Sequence, residues 1–432
     1  MTKTITIILL VATIFGHAQQ KDTIPYRSNF TTTELLLGTT LPSNKGFPEA
    51  GLQKSISLHF GKYQLKNTEE WAYRLKYPTT GMSFAITDYA NKEYIGYSAS
   101  MMPFIEFGMF KKKIKGLNFN MSLGVSYFTK SFTGTTFSLN NPIENNNNAI
   151  STKVTWSLKS FFYYDFLRSN NNNWRLGVGY FHHSNGHTKF PNQGLNSFLF
   201  SVSKQSNYDL STFRKTKEQK KQELKFEDNL QQFFTIRNGV GLNFLSEQFN
   251  DRKGVFTAAP SYGIIFNNTF KIGIGCFYRF YEHYYHYINN NEELIIAQYP
   301  HFQLNPVKYS SSLGLFFSGE IFLGNIGMEF DIGYNLYKPF YEVDWKLNGF
   351  YWDFINEDGT VETRFVEREI TSVYHLKHAI LFRAGLKYYL INTNNNPKSN
   401  IFIGVHINTN LGQADFTELN VGYVHRFGRK SR

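Results

Sequence analysis

The sequence predicts an all-β protein that crosses a membrane as an antiparallel β-barrel. Three observations support this fold class. Apolar and polar residues alternate over many segments, these segments are as long as a membrane-crossing strand, and aromatic residues make up 18% of the 432 residues. Two arrangements fit the pattern: one barrel of about 12–16 strands, or two tandem barrels of about eight strands each. The sequence leaves this choice open.

The alternation is clear in the segment at 116–127. Its leucine, phenylalanine, methionine, valine and tyrosine side chains fall on one face, and its glycines, asparagines and serines fall on the other. The same pattern recurs at 272–280, 326–336, 380–390 and 401–411. A period of two indicates a strand with one apolar and one polar face. A soluble sandwich would also alternate, but runs of about 10–13 residues match the roughly 9–11 that cross a bilayer at a tilt.

The composition narrows the function classes. The chain has 43 Phe and 28 Tyr, more than a soluble core needs, whereas a membrane barrel carries girdles of aromatic residues at both interfaces. The net charge of +12 is compatible with nucleic-acid binding, but an exported chain meets none inside the cell. We therefore expect no nucleic-acid partner, and a basic surface that meets the phosphates of anionic lipid.

The amino terminus has the pattern of a secretory signal. Lys3 precedes an apolar run at 5–15, and small residues then lead to Ala18, after which we expect cleavage. We predict a signal peptide at 1–18 and an exported mature chain. The apolar run is shorter than the roughly 20 residues that a spanning helix needs. The single cysteine, Cys276, cannot form an internal disulfide.

Asparagine clusters separate the predicted strands. They lie at 145–148, 170–173, 289–291 and 394–396, and asparagine tolerates the left-handed backbone of tight turns. We count about sixteen candidate strands, about eight before Lys204 and about eight after Asn229. The charged segment at 205–229 is then either a long loop or a linker between two barrels. We expect the candidate site in the portion at 30–204 and assign no role to the strands at 230–432.

The last predicted strand covers 416–427 and ends in Phe427. Outer-membrane barrels usually end in an aromatic residue that the barrel-assembly machinery recognises. We therefore expect this machinery as a partner during biogenesis and the outer membrane of a Gram-negative-type bacterium as the location. A basic tail at 428–432 is a departure from that pattern. The sequence does not indicate the oligomeric state.

One segment carries a candidate catalytic arrangement on its apolar face. Alternation from Trp174 places Tyr180, His182 and Ser184 on the side that faces lipid, and the returning strand adds Asn196 to it. Polar side chains that face lipid are costly and usually functional. A serine beside a histidine that a third group orients is the arrangement of nucleophilic catalysis. The alternative is that His182 and Ser184 bond lipid headgroups or water at the rim.

This segment resembles the lipid A 3-O-deacylase family, PagL, outer-membrane barrels that remove an ester-linked acyl chain from lipid A. The matching motif residues are His182, Ser184, Asn185, Pro191, Asn192 and Gly194, and the likeness covers roughly 30–204. The resemblance implies an outer-membrane esterase that acts on lipid A or lipopolysaccharide without a cofactor. It implies Ser184 as the nucleophile, His182 as its general base, and Asn185 with Gly186 as the oxyanion and substrate-binding groups.

The third residue of the candidate triad departs from the family pattern. Asn196 stands twelve positions after Ser184, where the best-known members have glutamate. An amide oxygen can still hold one tautomer of His182, but it brings no negative charge to an imidazolium. We therefore expect either a slower hydrolase or a barrel that has lost its activity. A hypothesis from another class is a channel or transport barrel, which the large number of strands suggests.

Other polar and aromatic clusters have simpler interpretations. We expect His183 in the lumen and His187 in a solvated loop, so that these two and His182 do not form a metal site. The aromatic run at 281–287 is interpreted as an interfacial girdle, with binding of sugar or lipopolysaccharide core as the alternative. The lysines at 111–113 are interpreted as a solvated turn.

Overall fold

A computed structural model of the chain describes residues 28–42, 47–110, 114–132, 147–169, 171–206, 226–246, 248–355, 358 and 360–431. The predicted signal peptide at 1–18, most of the charged segment at 205–229 and the lysines at 111–113 lie outside these residues.

The first barrel closes on itself after eight antiparallel strands. Its strands are β1 (Asn29–Leu41), β2 (Leu52–Tyr63), β3 (Thr79–Asp88), β4 (Tyr97–Gly108), β5 (Leu117–Phe128), β6 (Val154–Arg168), β7 (Asn172–Ser184) and β8 (Leu195–Ser206). Each strand pairs with the next, and β8 returns to β1, where Leu35 lies opposite Val202. Closure leaves no open sheet edge, which an unpaired strand would expose.

The second barrel also has eight antiparallel strands. They are β9 (Asn229–Asn243), β10 (Lys253–Phe266), β11 (Phe270–Tyr281), β12 (Ser311–Leu323), β13 (Ile326–Tyr337), β16 (Ile380–Tyr389), β17 (Ser399–Asn410) and β18 (Gln413–Ser431). The last strand closes onto the first, with Val421 opposite Asn238. A separate hairpin, β14 (Phe350–Ile355) and β15 (Val361–Val366), extends from the loop between β13 and β16.

The predicted all-β antiparallel barrel architecture is confirmed, and of its two variants the tandem pair of eight-stranded barrels forms. The single barrel of 12–16 strands is wrong, because β8 pairs with β1 rather than with β9. The sequence pattern is the same for both variants, since every strand has one apolar and one polar face in either case.

The apolar face of the strands points outward, as the alternation predicts. On β1, Leu35 and Leu37 are exposed while Glu34 and Leu36 are buried in the interior. On β8, Phe198 and Phe200 are exposed and Leu199 is buried. An outward apolar surface of this kind suits a hydrocarbon environment.

Charged side chains fill both interiors. In the first barrel, Glu34 accepts hydrogen bonds from Tyr163 at 2.7 Å and from Lys159, and it lies 2.8 Å from Nε2 of His59. In the second, Arg383 donates to Glu329 at 2.6 Å and to Asp331 at 3.1 Å. An eight-stranded barrel is just wide enough for side chains to fill. Paired buried charges of this kind occupy the space that a passage would need.

Short helices cover one end of the second barrel. They are α2 (Glu282–Asn289), α3 (Glu293–Gln298), α4 (Pro306–Tyr309), α5 (Tyr341–Leu347) and α6 (Ser372–Ala379), and α1 (Glu70–Arg74) belongs to the opposite end of the first barrel. The aromatic run at 281–287 therefore ends β11 and forms the first part of helix α2 rather than the predicted girdle, because Tyr281, Tyr284 and Tyr287 pack with Phe340 in a buried cluster of the cap. Among the residues that the structure describes, no helix is long and apolar enough to span a bilayer.

The two barrels stand side by side with the same orientation. The terminal end of each barrel is the end where β1 and β9 begin, and the loop end is the opposite one. At the terminal end, Glu70 of α1 accepts a hydrogen bond from Asn268 of the β10–β11 turn at 2.9 Å. Arg74 pairs with Asp228, just before β9, at 2.6 Å. At the loop end, the segment that follows β7 touches the second barrel, and this segment carries the candidate active site.

Candidate active site

His182 and Asn196 are direct cross-strand neighbours at the loop end of β7 and β8. Both side chains lie on the outer face, in line with exposed Val178 and Phe198. Nδ1 of His182 is 2.7 Å from Oδ1 of Asn196. The hydroxyl of Tyr180 donates to the same oxygen.

This hydrogen bond sets the tautomer of the imidazole. An amide oxygen only accepts, so Nδ1 of His182 carries the proton and donates to Asn196. Nε2 is then left as the acceptor, which is the state a general base needs. Ser184 is two residues further along β7, on the same side of the strand by alternation, but it is only 5% exposed because the loop after it and the second barrel cover it. Within the described residues no hydrogen bond joins His182 to Ser184, and such contacts commonly tighten only when substrate binds.

Ser184 is hydrogen-bonded within the loop that follows it, and its hydroxyl donates to Oδ1 of Asn192 at 3.4 Å. The backbone N–H of Gly186 donates to Oγ of Ser184 at 3.2 Å, and Nδ2 of Asn192 donates to the same atom at 3.2 Å. Two donors that converge on a nucleophilic oxygen can also reach an oxyanion formed beside it. Sequence reasoning noted Asn192 as part of the motif but gave it no role, because a loop residue's direction cannot be read from strand periodicity.

Asn185 does not present its amide to Ser184. Its Nδ2 donates to Oγ of Ser151 at 2.7 Å and to the carbonyl of Lys189 at 2.6 Å, and its Oδ1 accepts from the backbone of His187 at 2.9 Å. The expected role of Asn185 as oxyanion donor is therefore at odds with this geometry, because both amide protons are already used to hold the loop. Gly186 remains a candidate donor through its backbone.

The neighbouring histidines have different surroundings. His183 lies inside the first barrel, as predicted, where Nδ1 is 3.1 Å from Oγ of Ser157. The prediction of a solvated His187 is wrong, since its Nε2 bonds to the carbonyl of Phe244 in the second barrel at 3.1 Å. Burial lowers the pKa of the His187 imidazole. No group of three metal-ligating side chains occurs among the described residues.

Strand β18 of the second barrel reaches the loop after Ser184. Oγ1 of Thr417 donates to the carbonyl of Gly186 at 3.2 Å and accepts from Nε1 of Trp156 at 3.1 Å. Trp156 lies directly opposite Ser184 across the β6–β7 pair. The candidate site therefore faces the line along which the two barrels meet.

The class that this fold defines is a membrane-type antiparallel barrel with a partly exposed histidine on its outer face and a covered serine two residues further along the same strand. Residues 60–205 match the family model described as "Lipid A 3-O-deacylase (PagL)". This stretch runs from β2 to β8 and includes His182, Ser184 and Asn196. The resemblance to that family is thereby confirmed for the first barrel, whereas the match does not extend to the second.

Several solved structures align with the chain at low similarity. The outer-membrane enzyme PagL aligns over 40% of this chain and 97% of its own, at 16% identity and a TM-score of 0.28. An outer-membrane channel from Pseudomonas putida F1 aligns over 95% of this chain and 100% of its own, at 8% identity and a TM-score of 0.16. A mutant porin of Rhodopseudomonas blastica aligns over 93% and 99%, at 10% identity and a TM-score of 0.16. At such scores these likenesses carry no inference about function. Curated protein sequences gave no match.

Proposed function

We propose that the protein is an outer-membrane serine esterase that removes an ester-linked acyl chain from lipid A. Ser184 is the nucleophile, His182 the general base, and Asn196 the residue that orients His182. The observation that carries this proposal is the 2.7 Å bond from Nδ1 of His182 to Asn196. This bond leaves Nε2 of His182 as a hydrogen-bond acceptor, and Ser184 is two residues further along the same strand. Both residues lie within the stretch that matches the deacylase family.

The chemistry follows the usual order of serine hydrolysis. Nε2 of His182 takes the hydroxyl proton of Ser184 as Oγ attacks the ester carbonyl carbon. The backbone N–H of Gly186 and Nδ2 of Asn192 stabilise the oxyanion, in place of Asn185. His182 then gives the proton to the leaving sugar oxygen as the C–O bond breaks, and water attacks the acyl-enzyme to release the fatty acid. No cofactor takes part.

The surroundings of the site suit a lipid substrate. Phe198, Phe200, Leu176 and Val178 are exposed on the same face of β7 and β8 as His182, so an acyl chain in the bilayer can lie beside this imidazole without entering the barrel. The site is at the loop end, away from the terminal end with its short turns, which in outer-membrane barrels lies on the periplasmic side. Lipid A with its phosphates would also suit a chain of net charge +12.

The domain organisation belongs to the same proposal. Residues 1–18 act as a signal peptide, the portion at 30–204 carries the hydrolase, and the charged segment at 205–229 links the two barrels. The strands at 230–432 form the companion barrel, and the barrel-assembly machinery inserts both. The outer membrane is the location that the apolar outer faces and the family match support.

Fatty-acid release from purified lipid A tests the proposal. The parent protein should remove one acyl chain from lipid A, which mass spectrometry detects together with the free fatty acid, and the lost mass identifies that chain. Ser184→Ala should abolish release while keeping heat-modifiable gel mobility, and Ser206→Ala, at the terminal end of β8, is the matched control. Full release by Ser184→Ala would refute Ser184 as the nucleophile.

In the part of the chain that the structure describes, no observation favours the channel hypothesis over the esterase. Charged side chains fill both interiors: Arg383 with Glu329 and Asp331 in the second barrel, and Lys159 with Glu34 in the first. If neither fatty-acid release nor conductance in planar bilayers is detected with a folded parent, a structural barrel that keeps the motif without activity is the remaining interpretation.

A further inference from the structure

The loop that follows Ser184 is attached to the second barrel at three residues. Gly186 accepts from Thr417, His187 donates to the carbonyl of Phe244, and Phe190 exchanges two hydrogen bonds with Asn250. The backbone N–H of Phe190 is 3.2 Å from Oδ1 of Asn250, and the carbonyl of Phe190 is 3.4 Å from its Nδ2. The loop therefore contacts both β18 and the segment after β9.

The contact at Thr417 leads directly to the nucleophile. Thr417 donates to the carbonyl of Gly186 at 3.2 Å, and the N–H of the same glycine donates to Oγ of Ser184 at 3.2 Å. The φ of Gly186 is +64°, a left-handed conformation that favours glycine. A Cβ at this position would lie 2.2 Å from Oγ1 of Thr417. The Thr417 hydroxyl therefore packs closely against Gly186, where any side chain would clash with it.

A second bond fixes Thr417 itself. Its Oγ1 accepts from the indole N–H of Trp156 at 3.1 Å, and Trp156 is the cross-strand neighbour of Ser184. The Thr417 hydroxyl of the second barrel is thus bonded both to Trp156, the residue opposite Ser184, and to Gly186, two residues after it. Because a hydroxyl can donate once and accept twice, both bonds are satisfied together.

We propose that the second barrel is a working part of the active site, with Thr417 as the positioning residue that holds the Gly186 amide toward Ser184. This inference rests on the proposed esterase function and deepens it by giving a role to the half of the chain that the family match does not cover. The first barrel supplies the reacting groups, and the second barrel fixes the loop that carries the oxyanion donor. Asn250 and Phe244 hold the far side of the same loop.

The test compares three variants of the full chain in detergent micelles with lipid A as substrate. Thr417→Val removes the hydroxyl at nearly constant shape, Thr417→Ser keeps it, and Thr33→Val is the matched control on the exposed outer face of β1. Thr417→Val removes both bonds of the hydroxyl, and the loss of the one to the Gly186 carbonyl, worth about 1 kcal/mol, should lower kcat roughly five-fold with little change in KM. Thr417→Ser and Thr33→Val should keep the parental kcat.

A second readout does not need activity. Hydrogen–deuterium exchange of the peptide that covers residues 184–190 should become faster in Thr417→Val and in Asn250→Ala, and should stay parental in Thr417→Ser and Thr33→Val. If the parent releases no fatty acid but the exchange pattern holds, the proposed esterase fails and the positioning role stands. Parental kcat and parental exchange in Thr417→Val would overturn the positioning role.

Discussion

Replacing Asn196 by glutamate should make the esterase faster. Oδ1 of Asn196 accepts from Nδ1 of His182 at 2.7 Å and from the hydroxyl of Tyr180. A carboxylate would accept the same two donors and add a negative charge beside the imidazole. That charge acts chiefly in the transition state, when His182 becomes an imidazolium, so it should raise kcat rather than tighten substrate binding.

The size of the gain follows from the strength of the bond. A neutral hydrogen bond contributes about 1 kcal/mol and one to a charged group about 1.5–3 kcal/mol. The difference of about 1 kcal/mol corresponds to an increase of roughly five-fold in rate. The bond from the Tyr180 hydroxyl strengthens equally in the ground state and in the transition state, so it does not change the rate. Asn196 is partly exposed on the outer face.

The assay is initial-rate fatty-acid release from lipid A by the parent, Asn196→Glu and Asn196→Gln. The glutamine variant has the length of glutamate without its charge, so it separates geometry from electrostatics and should be no faster than the parent. Asn196→Leu should be slower, because His182 loses the acceptor that fixes its tautomer. Equal rates in all four proteins would refute Asn196 as the orienting group.

Three further predictions follow from the structure. Gly186→Ala should abolish fatty-acid release but keep heat-modifiable mobility, because its Cβ would meet Thr417 at 2.2 Å and φ is +64°; a fully active variant would contradict this geometry. Glu34→Ala should lower the free energy of unfolding by about 3–5 kcal/mol, since Lys159 keeps a buried charge without its partner; the urea midpoint measures this, and an unchanged midpoint would count against it. Burial raises the pKa of Asp344 to about 7. The folded protein therefore keeps a proton on this carboxyl that the unfolded chain releases near pH 4. As a result, the free energy of unfolding falls as pH rises from about 4 to 7. Asp344→Asn should therefore gain thermal stability over the parent between pH 5 and pH 8, and a pH-independent difference in Tm would contradict the shift.

The strands could be predicted because their signal is local. Alternation at 272–280, 326–336 and 401–411 gives the faces of β11, β13 and β17 directly, and the structure has the same faces outward. The number of barrels could not be predicted, because it depends on β8 pairing with β1 across more than 150 residues. The prediction of a girdle at 281–287 is wrong, since tyrosines suit a membrane girdle and the buried face of a cap helix equally well.

The candidate site could be predicted only where its residues lie on regular strands. His182 and Asn196 lie on two regular strands, so alternation and a short connection were enough to bring them together. Asn192 and Asn185 lie in the irregular loop, where the backbone path decides which amide turns toward Ser184. Thr417 could not be found from the sequence, because its role depends on how a second barrel packs against the first.

Covalent labelling of the nucleophile tests the central claim most directly. The parent protein is incubated with a lipophilic alkyl fluorophosphonate, digested, and mapped by mass spectrometry. We expect one modified peptide with the phosphonate on Ser184, loss of fatty-acid release in proportion to labelling, and no labelling of Ser184→Ala. Phosphonate on another serine, or continued release of fatty acid from a protein fully labelled at Ser184, would contradict the account.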